Sequence, residues 1–325
     1  SVHHPFQLAQ LLKLSTDLLE EVLNHPEYEV FELPKKRGGL RTITAPIGMT
    51  KKVQYRLNHY FQSYYSSIRP TVAYGFIRAS SHDKTSPSIV GNALVHVGKP
   101  HLYILDLKDF FTSITAKQVY TTLKSSLFGF NPDIARALTL FVTYKGTLPT
   151  GSPTSPVIAN FCSIALDQAL QQFAQENGLL YSRYADDLTF SSDTLLTAEK
   201  REEIHQLIAA HGFKVNPKKE RYRHPHQQHR VTGIIVNEKL NVDRTYLKKT
   251  RAMLHDLKVN GITHATTNHF GKEVTSDHDS LCHQFAFRLK GRIDFITQVR
   301  GKEDATAQKM KKDFWEVVEG LRAIK

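Results

Sequence analysis

The stretch YSRYADDLTFSS, residues 181–192, sets two aspartates side by side in what otherwise reads as a strand. Tyr181, Tyr184, Leu188, Thr189 and Phe190 favour a pleated, half-buried surface. Asp186 and Asp187 do not, because adjacent like charges repel and a buried carboxylate is costly without a positive partner. A bare Asp-Asp pair more often marks a turn or a helix N-cap. Here strand formers flank it on both sides, and a third aspartate stands at the end of another strand. In PHLYILDLKDFF, residues 100–111, Asp106 closes the apolar run Leu102 to Leu105 and so sits at the C-terminal end of a buried strand. If that strand pairs beside the 181–190 hairpin, three carboxylates converge. Such a cluster needs cations, and oxygen ligands select Mg²⁺, or Mn²⁺ in its place, over zinc. Two ions about 4 Å apart can activate a hydroxyl nucleophile and stabilise the leaving oxygen of a phosphoryl displacement.

Composition fits a partner for that chemistry. The chain has 325 residues, 40% hydrophobic and 23% charged, with a net charge of +12. Basic excess on this scale points to a polyanion or an anionic surface. It is concentrated: Lys214 to Arg251 holds 11 Lys and Arg against Glu220, Glu238 and Asp243. That run crosses a predicted loop, strand and helix, which favours a continuous basic surface over one solvated face. No apolar run approaches a membrane span and no signal-peptide core is present, so no membrane partner and a cytoplasmic location are expected. Cys162 and Cys282 stand alone in apolar surroundings and read as buried thiols.

The pattern along the chain is α+β and then helical. Residues 5–26 read as two helices, and YEVFELPKKRGGLRTITAP as a hairpin turning at Gly38-Gly39. An amphipathic helix carrying Lys51 and Lys52 follows. Beyond the 100–111 strand come helices to about residue 145, a turn-rich loop GTLPTGSPTSP and one apolar helix. After the aspartate hairpin, a helix at 197–211 precedes strands near 213–215 and 230–242. From Arg244 onward the periodicity is helical. The expected domains are N-terminal helices (1–34), a mixed α+β domain (35–243) and a helical end (244–325).

These stretches together resemble the palm of reverse transcriptases: YADD, the preceding LDLKDFF and the intervening LPTGSPTSPVIANF occur in that family's order and spacing. KKRGGLRTITAP resembles its first fingers block, GFKVNPKK the block after the aspartate hairpin, and VTGIIV the primer-grip block. LKGRIDFI resembles a thumb helix of the group II intron-like branch. NALVH (Asn92 to His96) and VTG (Val231 to Gly233) resemble elements of retron reverse transcriptases in particular. The resemblance implies a right-hand polymerase with fingers, a palm of antiparallel sheet plus helices, and a C-terminal helical thumb. It implies RNA-directed DNA synthesis, with two Mg²⁺ on Asp106, Asp186, Asp187 and the Leu107 carbonyl.

Further roles follow from the resemblance. Phe111 stands where the family keeps an aromatic gate beneath the sugar, with core packing the duller reading of Phe110 and Phe111. Lys36 and Arg41 lie on the fingers hairpin that binds the triphosphate. Thr150 replaces the commoner Gln beside Gly151, where the backbone would approach the nucleotide. RNA or primer contacts are expected at Asn92, His96, Lys218, Lys219, Val231, Thr232, Gly233, Lys248, Lys249 and Arg251. Lys218 and Lys219 read equally as ordinary turn lysines, His96 as a satisfied local hydrogen bonder, and Gly233 as a β-bulge. The histidines of RHPHQQHR (224, 226 and 229) read as an exposed basic loop, not a metal site. A retron implies one dedicated structured non-coding RNA as template and primer, dNTPs, a branched 2′–5′ RNA–DNA product and a bacterial source. It also implies a separate anti-phage effector and a host RNase H. The rivals are another group II intron-like or defence-associated reverse transcriptase, and an RNA-binding scaffold whose catalysis is dispensable.

Overall fold

The computed structural model describes residues 5–35, 38–79, 83, 85–270 and 278–323. The chain divides into two compact units, one comprising residues 1–95 and 100–225, the other 96–99 and 226–325.

In the first unit, α1 (Pro5–Leu12) and α2 (Thr16–Asn24) precede a hairpin of β1 (Tyr28–Pro34) and β2 (Leu40–Pro46). Ser15 caps α2 by accepting from the Leu18 amide. The hairpin reverses at Gly38 and Gly39, whose φ of 86° and 83° lie in the left-handed region that glycine tolerates. Helix α3 (Gly48–Ile68) then buries Val53, Leu57, Phe61 and Tyr65 at helical spacing. After α4 (Ile89–Leu94), β3 (His101–Asp106) forms, followed by α5 (Phe110–Ser113), α6 (Ala116–Lys124) and α7 (Pro132–Val142).

The single apolar helix expected after residue 154 is two, α8 (Ser155–Cys162) and α9 (Ile164–Glu176). They part at Ser163, whose ψ of −2° departs from helix. Strands β4 (Leu180–Tyr184) and β5 (Asp187–Ser192), helix α10 (Ala198–Ala210) and β6 (Arg221–Arg223) complete the unit. The four strands form one sheet in the order β4-β5-β3-β6, antiparallel throughout. Leu102, Tyr103, Leu105, Leu188 and Phe190 are among its buried side chains. Strand β6 was not anticipated, and the strand expected at 213–215 reduces to one bridge between Leu107 and Val215. Cys162 is half-buried beside Thr122, and burial pushes its thiol up to about 11.

The second unit holds a two-stranded ribbon, β7 (Arg230–Val231) and β8 (Ile234–Ile235), and three helices: α11 (Arg244–Phe270), α12 (His278–Arg300) and α13 (Ala305–Ala323). The strand expected over 230–242 is cut short because Thr232 and Gly233 both have positive φ and turn the chain back at once. Arg300 of α12 donates to Asn241 Oδ1 at 2.8 Å and pairs with Asp304, tying the segment before residue 243 to the helices. This unit therefore takes in residues 96–99 and 226–243 together with the helices. Helix α11 kinks at Gly261 (φ 81°, ψ 174°). The Arg292 guanidinium lies 3.8 Å from the Tyr246 ring centroid and donates to Thr250 Oγ1.

Candidate active site

Strand β3 delivers Asp106 to its C-terminal end, and the register pairs that residue directly with Asp187, the first residue of β5. Asp186 stands in the two-residue turn that joins β4 to β5, after Ala185 at φ 59°. The Leu107 amide donates to Asp186 O at 2.8 Å, so the chain beyond β3 grips the turn itself. In an extended residue the amide and carbonyl share one edge. The Leu107 carbonyl therefore lies on the edge of the strand that faces the turn. The register thus sets Asp106 beside Asp187, with Asp186 in the adjoining turn.

A buried network fixes the turn from beneath. Arg183, fully buried, donates to both carboxylate oxygens of Asp167 at 2.8 and 2.7 Å, to Asn160 Oδ1 at 3.0 Å and to Ala185 O at 3.1 Å. Asn160 in turn donates to Gly75 O at 3.0 Å. Residues 72–74 cover the free edge of β4, with Tyr74 N donating to Arg183 O and Arg183 N to Val72 O, each at 2.8 Å. A Cβ at Gly75 would lie 2.2 Å from Ala185 N, so only glycine permits the crossing. Sequence reasoning passed over Arg183, Asp167, Asn160 and Gly75. The available signal was an arginine inside a strand, between Tyr181 and Tyr184.

The site is short of positive charge. Asp106 is 5% exposed; Asp186 and Asp187 are half-buried. Burial, reinforced by Asp186 and Asp106, pushes the Asp187 carboxyl up to about 7. Burial also raises Asp186, whereas the charges of Lys219 and Arg41 act in the opposite sense on it. Lys219 Nζ donates to Asp106 Oδ2 at 2.5 Å, and Asn216 donates from Nδ2 to Asp106 Oδ1 at 3.3 Å and from its backbone amide to Asp106 O at 2.8 Å. Among the described residues no three Asp, Glu, His or Cys side chains stand close enough to hold an ion by themselves. At this site the Lys219 ammonium takes up one Asp106 oxygen. The donor chemistry nonetheless fits a hard divalent cation, since the carboxylates offer only oxygen and burial leaves their charge undercompensated.

The remaining expected residues fall into distinct settings. Phe110 is buried against Phe213, whereas Phe111 is half-buried between Phe110 and Phe76, with ring centroids 5.6 and 5.7 Å away. Arg41 is exposed on β2; Lys36 lies outside the described residues. Thr150 is committed to the fingers hairpin: its hydroxyl accepts from Thr44 N at 3.1 Å and donates to Thr42 O at 3.2 Å. Gly151 N donates to Thr44 O at 2.8 Å, and a Cβ there would meet Ile43, Thr44 and Ala45 at 2.9 Å. The close approach that demands this glycine is to β2.

Asn92 is 1% exposed, and neither atom of its side-chain amide has a hydrogen-bond partner. His96 is fully buried, and burial lowers its pKa to about 3. Neither side chain offers RNA a surface in this conformation. Lys218, Lys248, Lys249 and Arg251 are exposed, the last three on α11. Val231 is buried. Gly233 forms the turn of the β7–β8 ribbon rather than a bulge, is exposed, and has open space where a Cβ would stand. His224 and His226 are exposed, but His229 is buried, with Nδ1 2.9 Å from Lys99 O; the expected exposed loop ends before it.

Comparison with known proteins agrees with this geometry. Residues 33–236 match the family model for reverse transcriptase, RNA-dependent DNA polymerase. The chain is 38% identical over 172 residues to the retron Ec86 reverse transcriptase of Escherichia coli, covering 52% of this chain and 53% of that protein. It is 33% identical over 247 residues to the retron Mx65 reverse transcriptase of Myxococcus xanthus, covering 70% and 55% respectively. It thus spans about half the length of the curated relatives it matches. Among solved structures, telomerase from Candida albicans with a fragment of telomeric RNA superposes with a TM-score of 0.52 at 10% identity. That match covers 92% of this chain and 64% of the telomerase chain, a likeness of fold alone. The fold is the right-hand polymerase fold, and reverse transcriptases as a family use divalent metal ions. With residues 33–236 matched and the aspartates meeting at the palm sheet, the chain belongs to the reverse transcriptase family, and within it resembles the retron enzymes.

Proposed function

We propose that this chain is an RNA-directed DNA polymerase of the retron type, adding dNMP to a primer hydroxyl on an RNA template with release of pyrophosphate. The observation that carries the reading is the pairing of Asp106 with Asp187 across β3 and β5, with Asp186 in the adjoining turn. Asp106, Asp186, Asp187 and the Leu107 carbonyl would hold the metal, for which two Mg²⁺ are the proposed form and Mn²⁺ a substitute. Bound there, the ions would ease deprotonation of the primer hydroxyl and would neutralise charge at the phosphoryl group. Arg41 and Lys36 take the triphosphate, for which a guanidinium fork and an ammonium suit phosphate oxygens. Phe111, with one side free of the core, meets the sugar and excludes a 2′-hydroxyl. Thr150 and Gly151 act by holding the nucleotide loop to β2.

Residues 35–243 serve as fingers and palm, and 244–325 as the thumb. Lys248, Lys249 and Arg251 face the template–primer backbone, Lys218 and the Val231–Thr232–Gly233 turn the primer, and Asn92 and His96 shape the RNA-binding surface from within. The substrate is a dedicated structured non-coding RNA, primed from a guanosine 2′-OH to give a branched RNA–DNA in the bacterial cytoplasm. Anti-phage defence with a separate effector, and RNase H from the host, complete the reading. The retron relatives support this assignment.

Two measurements test it. In primer extension with the cognate RNA, dNTPs and Mg²⁺ or Mn²⁺, the wild type extends, whereas Asp186→Asn, Asp187→Asn and chelator-treated protein do not, while still binding RNA. No wild-type extension under either metal sinks the polymerase reading and leaves the scaffold. A denaturing gel of co-purifying nucleic acid, with RNase, DNase and debranching treatments, tests the branched product: RNA alone removes the retron assignment but not the polymerase.

A further inference from the structure

Two consecutive residues grip β3 from opposite faces. Side chains alternate along a strand, so Tyr103 and Asp106 point to opposite faces of the sheet. Strand β6 pairs Ile104 with Arg221 and Tyr103 with Tyr222. Ahead of β6 the chain turns: the Lys219 and Glu220 amides donate to Asn216 O at 3.0 and 3.2 Å, and the Asn216 amide donates to Asp106 O at 2.8 Å. From this turn the Lys219 ammonium reaches the Asp106 carboxylate. Glu220 reaches the other face, where its Oε1 accepts from the Tyr103 hydroxyl at 2.5 Å. His205 Nε2, from α10, stands 2.9 Å from that hydroxyl and 3.3 Å from Glu220 Oε1.

The segment is also tied on either side of Lys219 and Glu220: Lys108 N donates to Lys214 O at 2.7 Å, and the Tyr222 hydroxyl accepts from Leu196 N at 3.1 Å. Strand β6 itself has three residues. On the outer side a groove of about 360 Å³ runs between α10 and residues 213–220. Tyr103 is the buried end of the contact, 1% exposed, whereas Glu220 and His205 remain partly open.

We propose that Tyr103, His205 and Glu220 form a register lock, positioning residues on the back of the palm that hold Lys219 and Asn216 at Asp106. The inference rests on the aspartate site being the polymerase centre. Loss of the lock lets the 216–221 segment shift against β3, so the ammonium and amide that orient Asp106 no longer arrive together. A misplacement of about 1 Å near reacting groups can cost ~10²-fold in rate.

The test is steady-state primer extension by Tyr103→Phe, Glu220→Ala, Glu220→Gln and His205→Gln in the full chain, with thermal unfolding and RNA affinity measured alongside. Tyr103→Phe and Glu220→Ala should lower kcat by about 10- to 100-fold with KM for dNTP and RNA affinity little changed. Glu220→Gln keeps an acceptor for Tyr103 and should recover most of the rate. His205→Gln should fall between. Full kcat in a folded Tyr103→Phe protein overturns the lock, as does a loss matched in proportion by falling stability and RNA affinity, or a Glu220→Gln variant no better than Glu220→Ala. If the wild type itself fails to extend, the polymerase reading fails first; if it extends and Asp186→Asn does not, only the lock is in question.

Discussion

At the scale of single residues, the most expensive group in the palm is Arg183. A guanidinium with no exposure to water is tolerated because every donor direction used is met: two oxygens of Asp167, the amide oxygen of Asn160 and the carbonyl of Ala185. Breaking such a pair by removing one partner costs about 3–5 kcal/mol, because the other charge stays buried. Arg183→Met should therefore destabilise the protein by about that amount in chemical denaturation, with Asp167→Asn comparable. A cost below about 1 kcal/mol would mean that water or a neighbour replaces the guanidinium. Arg183 also holds Ala185, next to Asp186. Residual folded protein should consequently lose extension activity beyond the loss of folded fraction.

At the scale of elements, the β4–β5 turn is held in place by a strand-like segment that is not a strand. Residues 72–74 bond to the edge of β4, and the chain then crosses beneath the turn at Gly75. A methyl group at that position meets backbone, which cannot rotate away as a side chain can. Gly75→Ala should push the turn off Leu107 and cost about 1–3 kcal/mol, with a larger fractional fall in kcat than in RNA affinity. Unchanged kcat in this variant would show that the turn has slack. Thr150 illustrates the same principle at the fingers hairpin. Its hydroxyl accepts from one residue of β2 and donates to another, so a side chain supplies what an added strand would otherwise give.

For the whole molecule, charge is the organising quantity. The net +12 is carried disproportionately by residues 214–251, which run from the end of the palm into α11. Polyanion binding through such a surface releases counterions, so RNA affinity should fall steeply and linearly in log–log form with salt. Replacing Lys248, Lys249 and Arg251 together by Gln should flatten that slope by about two to three, at roughly 0.7–0.9 per phosphate contact removed. An unchanged slope would place the RNA on another face. Among the described residues no helix is long and apolar enough to cross a membrane.

The division between sequence and structure follows from the range of the forces involved. Local rules were enough for the hairpin turning at Gly38-Gly39, helix α3, strand β3 with Asp106 at its end, and the hairpin strands around Asp186 and Asp187, because periodicity and turn chemistry act over a few residues. The order and spacing of those blocks were enough for the family. Local rules failed where distant chain segments decide. Strand β6 exists because β3 offers it an edge, and the strand expected over 230–242 stops at the left-handed pair Thr232 and Gly233. Asn92 and His96, polar in sequence, are buried by packing that no local pattern encodes. The partners of Lys219 and Glu220 lie more than a hundred residues away, on opposite faces of one strand. Order along the chain was enough to single out Asp106, Asp186 and Asp187 as candidate carboxylates. What holds them could be read only from the folded chain, because hydrogen bonds and ion pairs act between neighbours in space and leave no spacing along the chain.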